Sequence, residues 1–185
     1  VIFLETSLAG GFVVELEKIE DERGFFAEGW KDEVAAKHGI QVRFNRTNIS
    51  YNRKVGTLRG LHSQAAPYGE AKLVRCIQGA IFDVMVDIRP DSPTYLKWFS
   101  TELTAENHRM LYIPEGFLHG FQTLMPDSTV SYQVAGVYTP EAEVGACYDD
   151  PAFGIEWPQA AERVLSPKDK AWKPFQPVRQ HSTCC

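Results

Sequence analysis

Three side chains in this sequence have the types and spacing for moving a proton on and off carbon. The stretch "GTLRGLHSQ", residues 56–64, carries His62. A neutral imidazole, with a pKa of about 6.5, is the best general base among side chains at neutral pH. Lys72, in "GEAKLVRC", follows ten residues later. On a neighbouring inward-facing strand its ammonium could face the enolate oxygen that deprotonation creates. Tyr132, in "VSYQV", has Val130 and Val134 two places away on either side. On a strand that pattern turns all three the same way. The phenol then either delivers a proton to the opposite face of a substrate or covers the core with its hydroxyl at the rim. A histidine base also needs an orienting carboxylate, and spacing alone does not identify one.

A second histidine raises the question of a metal. "PEGFLHGF", residues 114–121, has the P-x-G-x-x-H form of the second cupin motif, in which the histidine, here His119, is often a ligand. The first cupin motif supplies a His-x-His pair and then a Glu. Here the pair reads His62-Ser63-Gln64, with Glu70 further on. Two imidazoles fall short of the three or four ligands a metal site takes, so no metal is expected. Groups for binding an anion are present. Read as a strand, "DERGFFAE" puts Arg23 and Phe25 on one face and Phe26 and Glu28 on the other, and Arg59 sits three residues before His62. Two guanidinium groups beside an apolar pocket suit a diphosphate. Phe26 and Tyr138 could stack on a flat base. Taken singly, each of these reads more simply as an exposed arginine or a core aromatic.

Holding such groups across a cavity requires strands. Most of the chain reads as short strands broken by Gly, Pro, Asp and Asn, at 12–18, 23–30, 43–51, 57–63, 72–78, 80–88, 96–103, 109–113, 118–124 and 128–137. The clearest is "AIFDVMVDI", with Phe82, Val84, Val86 and Ile88 on one face and Ile81, Asp83, Met85 and Asp87 on the other. "KDEVAAKHG", 31–39, has acids in its first turn and Gly39 placed to end it, which predicts a helix. A second short helix is expected after Ser166. The class is mainly β: a jelly roll, as β-sandwich or barrel, with a few short helices. Residues 1–175 are expected to form a single domain, and 176–185 a disordered tail.

Composition excludes several roles. Of the 185 residues 44% are hydrophobic and 23% charged, which is ordinary for a globular protein. The net charge of −5 argues against nucleic-acid and membrane-surface partners, which need a basic face. No apolar run approaches the roughly 20 residues of a membrane span. "VIFLETSLAGGFVV" is interrupted by Glu5 and lacks a basic start, so it does not read as a signal peptide. Cys76, Cys147, Cys184 and Cys185 fit neither a zinc site nor a disulfide framework, and a reducing, cytoplasmic setting is expected.

Together "DERGFFAE", "GTLRGLH", "KLVRC", "QGAIFDVMVDIRPDSPTY", "LYIPEGFLHGF", "DDPAFGIEWP" and "LSPKDK" resemble the dTDP-4-dehydrorhamnose 3,5-epimerase family, over about residues 5–175 and in order. The resemblance implies a cupin-type jelly roll, a homodimer, and no metal or organic cofactor. It implies inversion at C3 and C5 of a dTDP-linked 4-keto-6-deoxyhexose through an enolate. By position it makes His62 the base, Asp169 its paired carboxylate, Lys72 the enolate partner and Tyr132 the acid. It places His119 against the sugar and Arg23 and Arg59 on the diphosphate. Glu28 becomes a nucleotide contact, Tyr138 stacks on thymine, and Glu143 and Lys168 are outer substrate contacts. Three departures stand out. Ser63 replaces the usual aromatic. The family's Gln-Asp-Asn reads Arg46-Thr47-Asn48, of which only Asn48 carries over. One extra residue separates Asn48 from Arg59. The rival readings are a single-position 3- or 5-epimerase, a sugar 3,4-ketoisomerase, a metal-dependent cupin enzyme and a non-catalytic nucleotide-sugar binding module.

Overall fold

The structure is a computed structural model that describes residues 1–177. The expected tail beyond 177, with Cys184 and Cys185, lies outside the described residues. Strands dominate, in the order β1 (Ile2–Glu5), β2 (Phe12–Glu15), β3 (Ile19–Asp21), β4 (Gly24–Phe26), β5 (Arg46–Asn52), β6 (Leu58–Gln64), β7 (Ala71–Gln78), β8 (Ala80–Asp87), β9 (Trp98–Thr104), β10 (Met110–Ile113), β11 (Phe117–Thr123), β12 (Ser128–Ala135) and β13 (Glu143–Gly145). Helix α1 (Asp32–Lys37) lies between β4 and β5, and α2 (Pro167–Lys170) follows β13.

The strands form two antiparallel sheets and a separate hairpin. One sheet has the order β1-β2-β10-β7-β12-β5, the facing one β13-β6-β11-β8-β9, and β3 pairs only with β4. Between the sheets lies a core of Leu8, Val74, Cys76, Ile81, Met85, Leu103, Leu111, Ile113, Phe117, Phe121 and Val130. Each Val, Leu, Ile, Met or Phe among them contributes about 1.5–3 kcal/mol when fully buried. Period-2 alternation puts Val130, Tyr132 and Val134 of β12 on the inner face, as the sequence predicts: Val130 and Val134 are buried and Tyr132 packs on the core.

The outer faces are covered in part. Around α1, Trp30, Val34, Ala35 and Ile40 pack on Phe12, Leu73, Met110 and Tyr112 of the first sheet. Over the second sheet lies the chain from Ala146 to Phe175, with Phe153, Ile155 and Trp157 packing on Leu61, Val84, Val86 and Leu118. This resolves the two faces of β8. Its apolar face lies under the C-terminal segment, while the face carrying Asp83 points between the sheets and both carboxylates are buried. Asp87 accepts from Arg89 Nε at 2.8 Å, Ser92 Oγ at 2.5 Å and Thr94 Oγ1 at 2.6 Å, so "DIRPDSPTY" is a pinned loop.

The expected strand 23–30 is corrected. Arg23 sits in the β3–β4 turn, its backbone N–H donating to Asp21 Oδ1 at 2.8 Å, and pairing ends at Phe26. Arg23 and Phe25 therefore do not share a strand face. The short strands β1, β3 and β13 were not expected from local sequence.

Candidate active site

The inward faces of the two sheets converge on a cleft of about 120 Å³, lined by Arg46, Asn48, His62, Gln64, Glu70, Lys72, Tyr132, Tyr138 and Glu143. A larger groove beside α1, about 360 Å³ and lined by His38, Tyr112 and Glu115 among others, has no lysine or arginine to face an oxyanion. Within the cleft the topology separates the reactive groups. His62 on β6, His119 on β11 and Asp83 on β8 belong to one sheet; Lys72 on β7, Tyr132 on β12 and Asn48 on β5 belong to the other.

His62 and His119 are cross-strand partners. The two strands approach closely because residue 60 is glycine. A Cβ there would lie 2.4 Å from the His119 carbonyl oxygen, and its φ of +101° is one that side-chain-bearing residues rarely adopt. Burial holds the His62 imidazolium well below its ordinary pKa, and the charges of Lys72, His119, Lys168 and Arg59 push the same way. His62 is thus a neutral base at neutral pH. Asp169, buried on α2, comes within two residues of it along β6. Its Oδ1 accepts from the Gly60 N–H at 3.3 Å and its Oδ2 from Ser166 Oγ at 2.8 Å. Among the described residues no hydrogen bond joins Asp169 to the His62 ring, so its direct contact is with the strand that carries the base.

Lys72 is buried, and burial lowers its pKa; the carboxylates of Glu70 and Asp83 oppose that. Its Nζ lies 3.8 Å from Glu70. Behind it, His119 Nε2 and Asp83 Oδ1 are 2.8 Å apart, both buried. Burial raises the Asp83 carboxyl's pKa, and His119 and Lys72 pull it back. Tyr132 faces Asn48 across β12 and β5. Burial pushes its phenol up, against the Arg59 charge and a hydrogen bond with Asn48. Arg59 itself is exposed, its Nε donating to Asn52 Oδ1 at 2.8 Å.

At the mouth, Lys168 Nζ donates to Glu143 at 2.6 Å. Gln64, which stands where a second imidazole would complete a His-x-His pair, is a structural clasp. Its Nε2 donates to the carbonyls of Tyr68 (2.7 Å) and Val137 (2.9 Å), and its Oε1 accepts from the Thr139 N–H (2.6 Å). The loop carrying Tyr138 is thereby fixed. Ser63 lies buried opposite Val144, with no hydrogen-bond partner for its hydroxyl.

The structure therefore brings together His62, Lys72, Tyr132, Asn48, Tyr138 and Glu143, with Arg59, His119, Lys168 and Asp169 adjoining. Arg23, Phe26 and Glu28 do not line this cleft. Arg23 is 85% exposed and paired with Asp21, Phe26 is 68% exposed, and Glu28 pairs with Lys31. Sequence reasoning missed Asp83 as the partner of His119, although its place on an otherwise apolar strand was a signal. It also missed the Arg46–Glu70 ion pair, which spans 24 positions and has no local signature. Among the described residues no three His, Cys, Asp or Glu side chains converge as a metal-ligand set.

Comparison with known proteins gives this geometry a family. The model for dTDP-4-dehydrorhamnose 3,5-epimerase matches residues 5–177. The chain is 44% identical over 169 residues to the dTDP-4-dehydrorhamnose 3,5-epimerase of Sinorhizobium fredii, covering 91% of this chain and 87% of the relative. It superposes with a TM-score of 0.87 at 38% identity on the Legionella pneumophila dTDP-6-deoxy-D-glucose-3,5-epimerase in complex with dTDP-4-keto-L-rhamnose, covering 94% and 92% of the two chains. It also resembles ChmJ, a 3'-monoepimerase from Streptomyces bikiniensis in complex with dTDP-quinovose, with a TM-score of 0.83 and 31% identity over 91% and 85%. A match running from residue 5 to residue 177, on a fold whose two sheets place a histidine opposite a lysine and a tyrosine, makes the chain a member of the dTDP-4-dehydrorhamnose 3,5-epimerase family.

Proposed function

We propose that this protein is an epimerase that inverts C3 and C5 of a dTDP-linked 4-keto-6-deoxyhexose, in deoxysugar biosynthesis. One observation carries the reading: the base and the acid stand on opposite sheets, His62 on β6 and Tyr132 on β12, with Lys72 on the acid's side. His62 takes the proton next to the C4 ketone and becomes an imidazolium. The electron pair moves into an enolate whose oxygen lies against the Lys72 ammonium. Tyr132 gives its phenolic proton to the same carbon from the other sheet, and solvent then restores both groups. His119, held by Asp83, supports the oxyanion, and Asp169 fixes the strand bearing the base. Arg59 binds the diphosphate, Tyr138 stacks on the thymine, Asn48 steadies the phenol, and Glu143 and Lys168 close the mouth. No metal or organic cofactor takes part in these steps.

The test is solvent deuterium incorporation into dTDP-4-keto-6-deoxyglucose, read by NMR. Label and inversion at both C3 and C5 are expected. Label at one position alone identifies a single-position epimerase, the activity named for the 31%-identical Streptomyces protein. No label at either position overturns the reading. The pH profile has a defined sign. His62 works unprotonated and its pKa lies well below the ordinary value. Activity is therefore expected to hold as pH falls through about 6.5 and to drop only well below it. An acid limb of kcat/KM centred at or above 6.5 contradicts this assignment.

In the same reading residues 1–175 act as one domain in a homodimer. Ile49, Tyr51 and Ile77 stand exposed together on the outer face of the first sheet, beyond the part that α1 covers, and Ile19, Phe25 and Phe26 are exposed on the hairpin. Apolar patches of this kind mark interfaces. A second copy covering that face would let the hairpin bring Arg23, Phe26 and Glu28 to the partner's cleft. Sedimentation is expected to give the mass of two chains, falling to one in Ile49→Asp/Ile77→Asp; a monomeric wild type overturns the dimer. No described helix is long and apolar enough to cross a membrane. Cys76 and Cys147 are free thiols, which suits the reducing cytoplasm.

A further inference from the structure

Arg46 and Lys72 lie on either side of Val134. In register, Val134 of β12 pairs with Arg46 of β5 on one side and Lys72 of β7 on the other. That separates the two cations by two strand spacings, about 9–10 Å. Glu70, one residue before β7, fills the gap. Its Oε1 accepts from Arg46 Nη2, and its Oε2 lies 3.8 Å from Lys72 Nζ. Glu70 and Lys72 are both buried. The entry to β7 is itself fixed, since a Cβ on Gly136 would lie 2.8 Å from the Gly69 carbonyl. Arg46 has a further contact: its guanidinium carbon lies 5.7 Å from the centre of the Tyr138 ring. One carboxylate is therefore shared between two cations, and one of those cations also braces an aromatic wall of the cleft.

We infer that the Arg46–Glu70 ion pair is a positioning element for Lys72: Glu70 keeps the buried ammonium charged and aimed into the cleft, and Arg46, by competing for the same carboxylate, sets how strongly. Its place in the reaction rests on the epimerase reading above; its effect on Lys72 does not. The groups facing Lys72 from the packed elements are Glu70, Asp83 on β8 and Glu143 on β13, which favour the charged form. Arg46 on β5 opposes it, and His62 on β6 lies within reach of its field. An opposite charge at such a distance typically moves an ionisation by about one to three pH units. Glu70 is the nearest carboxylate the structure gives Lys72, and Arg46 is its direct competitor. Removing one or the other must then move Lys72 in opposite directions. A pair that only tied β5 to β7 would give no such reversal.

The experiment is an NMR titration of the ligand-free full chain labelled with 13Cε-lysine. The Lys72 signal is identified by its loss in Lys72→Arg. Glu70→Gln is expected to lower the Lys72 midpoint by about one pH unit or more, and Arg46→Gln to raise it. The double variant Arg46→Gln/Glu70→Gln replaces the ion pair with two amides, so neither member of the pair is left as an uncompensated charge. Its midpoint is expected between those of the two single variants, even if Glu70→Gln alone folds poorly. In the deuterium-exchange assay the alkaline limb of kcat should move with each midpoint, and Arg46→Gln should also raise KM as Tyr138 loses its support. Midpoints that coincide, that move the same way in both single variants, or that move without the alkaline limb following overturn the inference. If the midpoints move as expected while wild-type protein exchanges no substrate hydrogen, the epimerase reading fails and the control of Lys72 by the pair stands.

Discussion

Replacing His62 with alanine is expected to lower turnover by about 10²–10⁴-fold, the usual worth of a positioned acid or base, with affinity for the nucleotide sugar largely kept. The groups assigned to binding are anchored elsewhere: Arg59 to Asn52, Tyr138 on the loop held by Gln64, and Lys168 to Glu143. Loss of the imidazole also breaks no internal hydrogen bond, since none engages the ring among the described residues, so the fold should tolerate it. Calorimetric titration with dTDP alongside the NMR rate assay separates the two effects. Turnover close to wild type would remove His62 from the chemistry. Loss of dTDP binding in step with turnover would make it a binding residue instead.

Tyr132→Phe is the sharper test of a two-sided mechanism. The ring still packs on the core, and only the hydroxyl beside Asn48 and Arg59 is lost. His62 on the facing sheet can still remove a proton, exchange it with solvent and return it to the side it came from. Deuterium should therefore enter the substrate with retained configuration, while inverted product falls by about 10²–10⁴-fold. Exchange and inversion that decline together would mean that Tyr132 does not deliver the second proton. Inversion at the wild-type rate would exclude it as the acid.

What the sequence revealed, and what it hid, follows from the range of the interactions. Tyr132 is legible because alternation with Val130 and Val134 turns it inward within reach of a local pattern, and His62 and Lys72 by their residue types and ten-residue separation. Asp83 was visible on its strand but not interpretable. Which face of β8 lines the interior depends on the segment from Ala146 to Phe175, which covers the apolar face. Arg46–Glu70 and Asp169–Gly60 join residues 24 and 109 positions apart. They follow from tertiary arrangement alone, and Asp169 was found only through resemblance. That resemblance also supplied roles for Arg23 and Glu28, and the local pattern suggested Phe26; this chain's own cleft contains none of the three. The strand expected over 23–30 shrank to Gly24–Phe26 because Asp21 closes a turn at Arg23, and a three-residue strand such as β13 lacks the length to display alternation.

Gln64 bears on how this barrel could change over time. A histidine at that position would bring a third imidazole to the strands of His62 and His119, and on paper that is the shortest route to a metal enzyme. The same replacement would release Val137 and Thr139, freeing the loop that presents Tyr138. If Tyr138 stacks on the base as proposed, that step weakens nucleotide binding before a set of three or four ligands is complete. Gln64 thus ties the Tyr138 loop to the strand of His62, and exchanging it for an imidazole carries that structural cost.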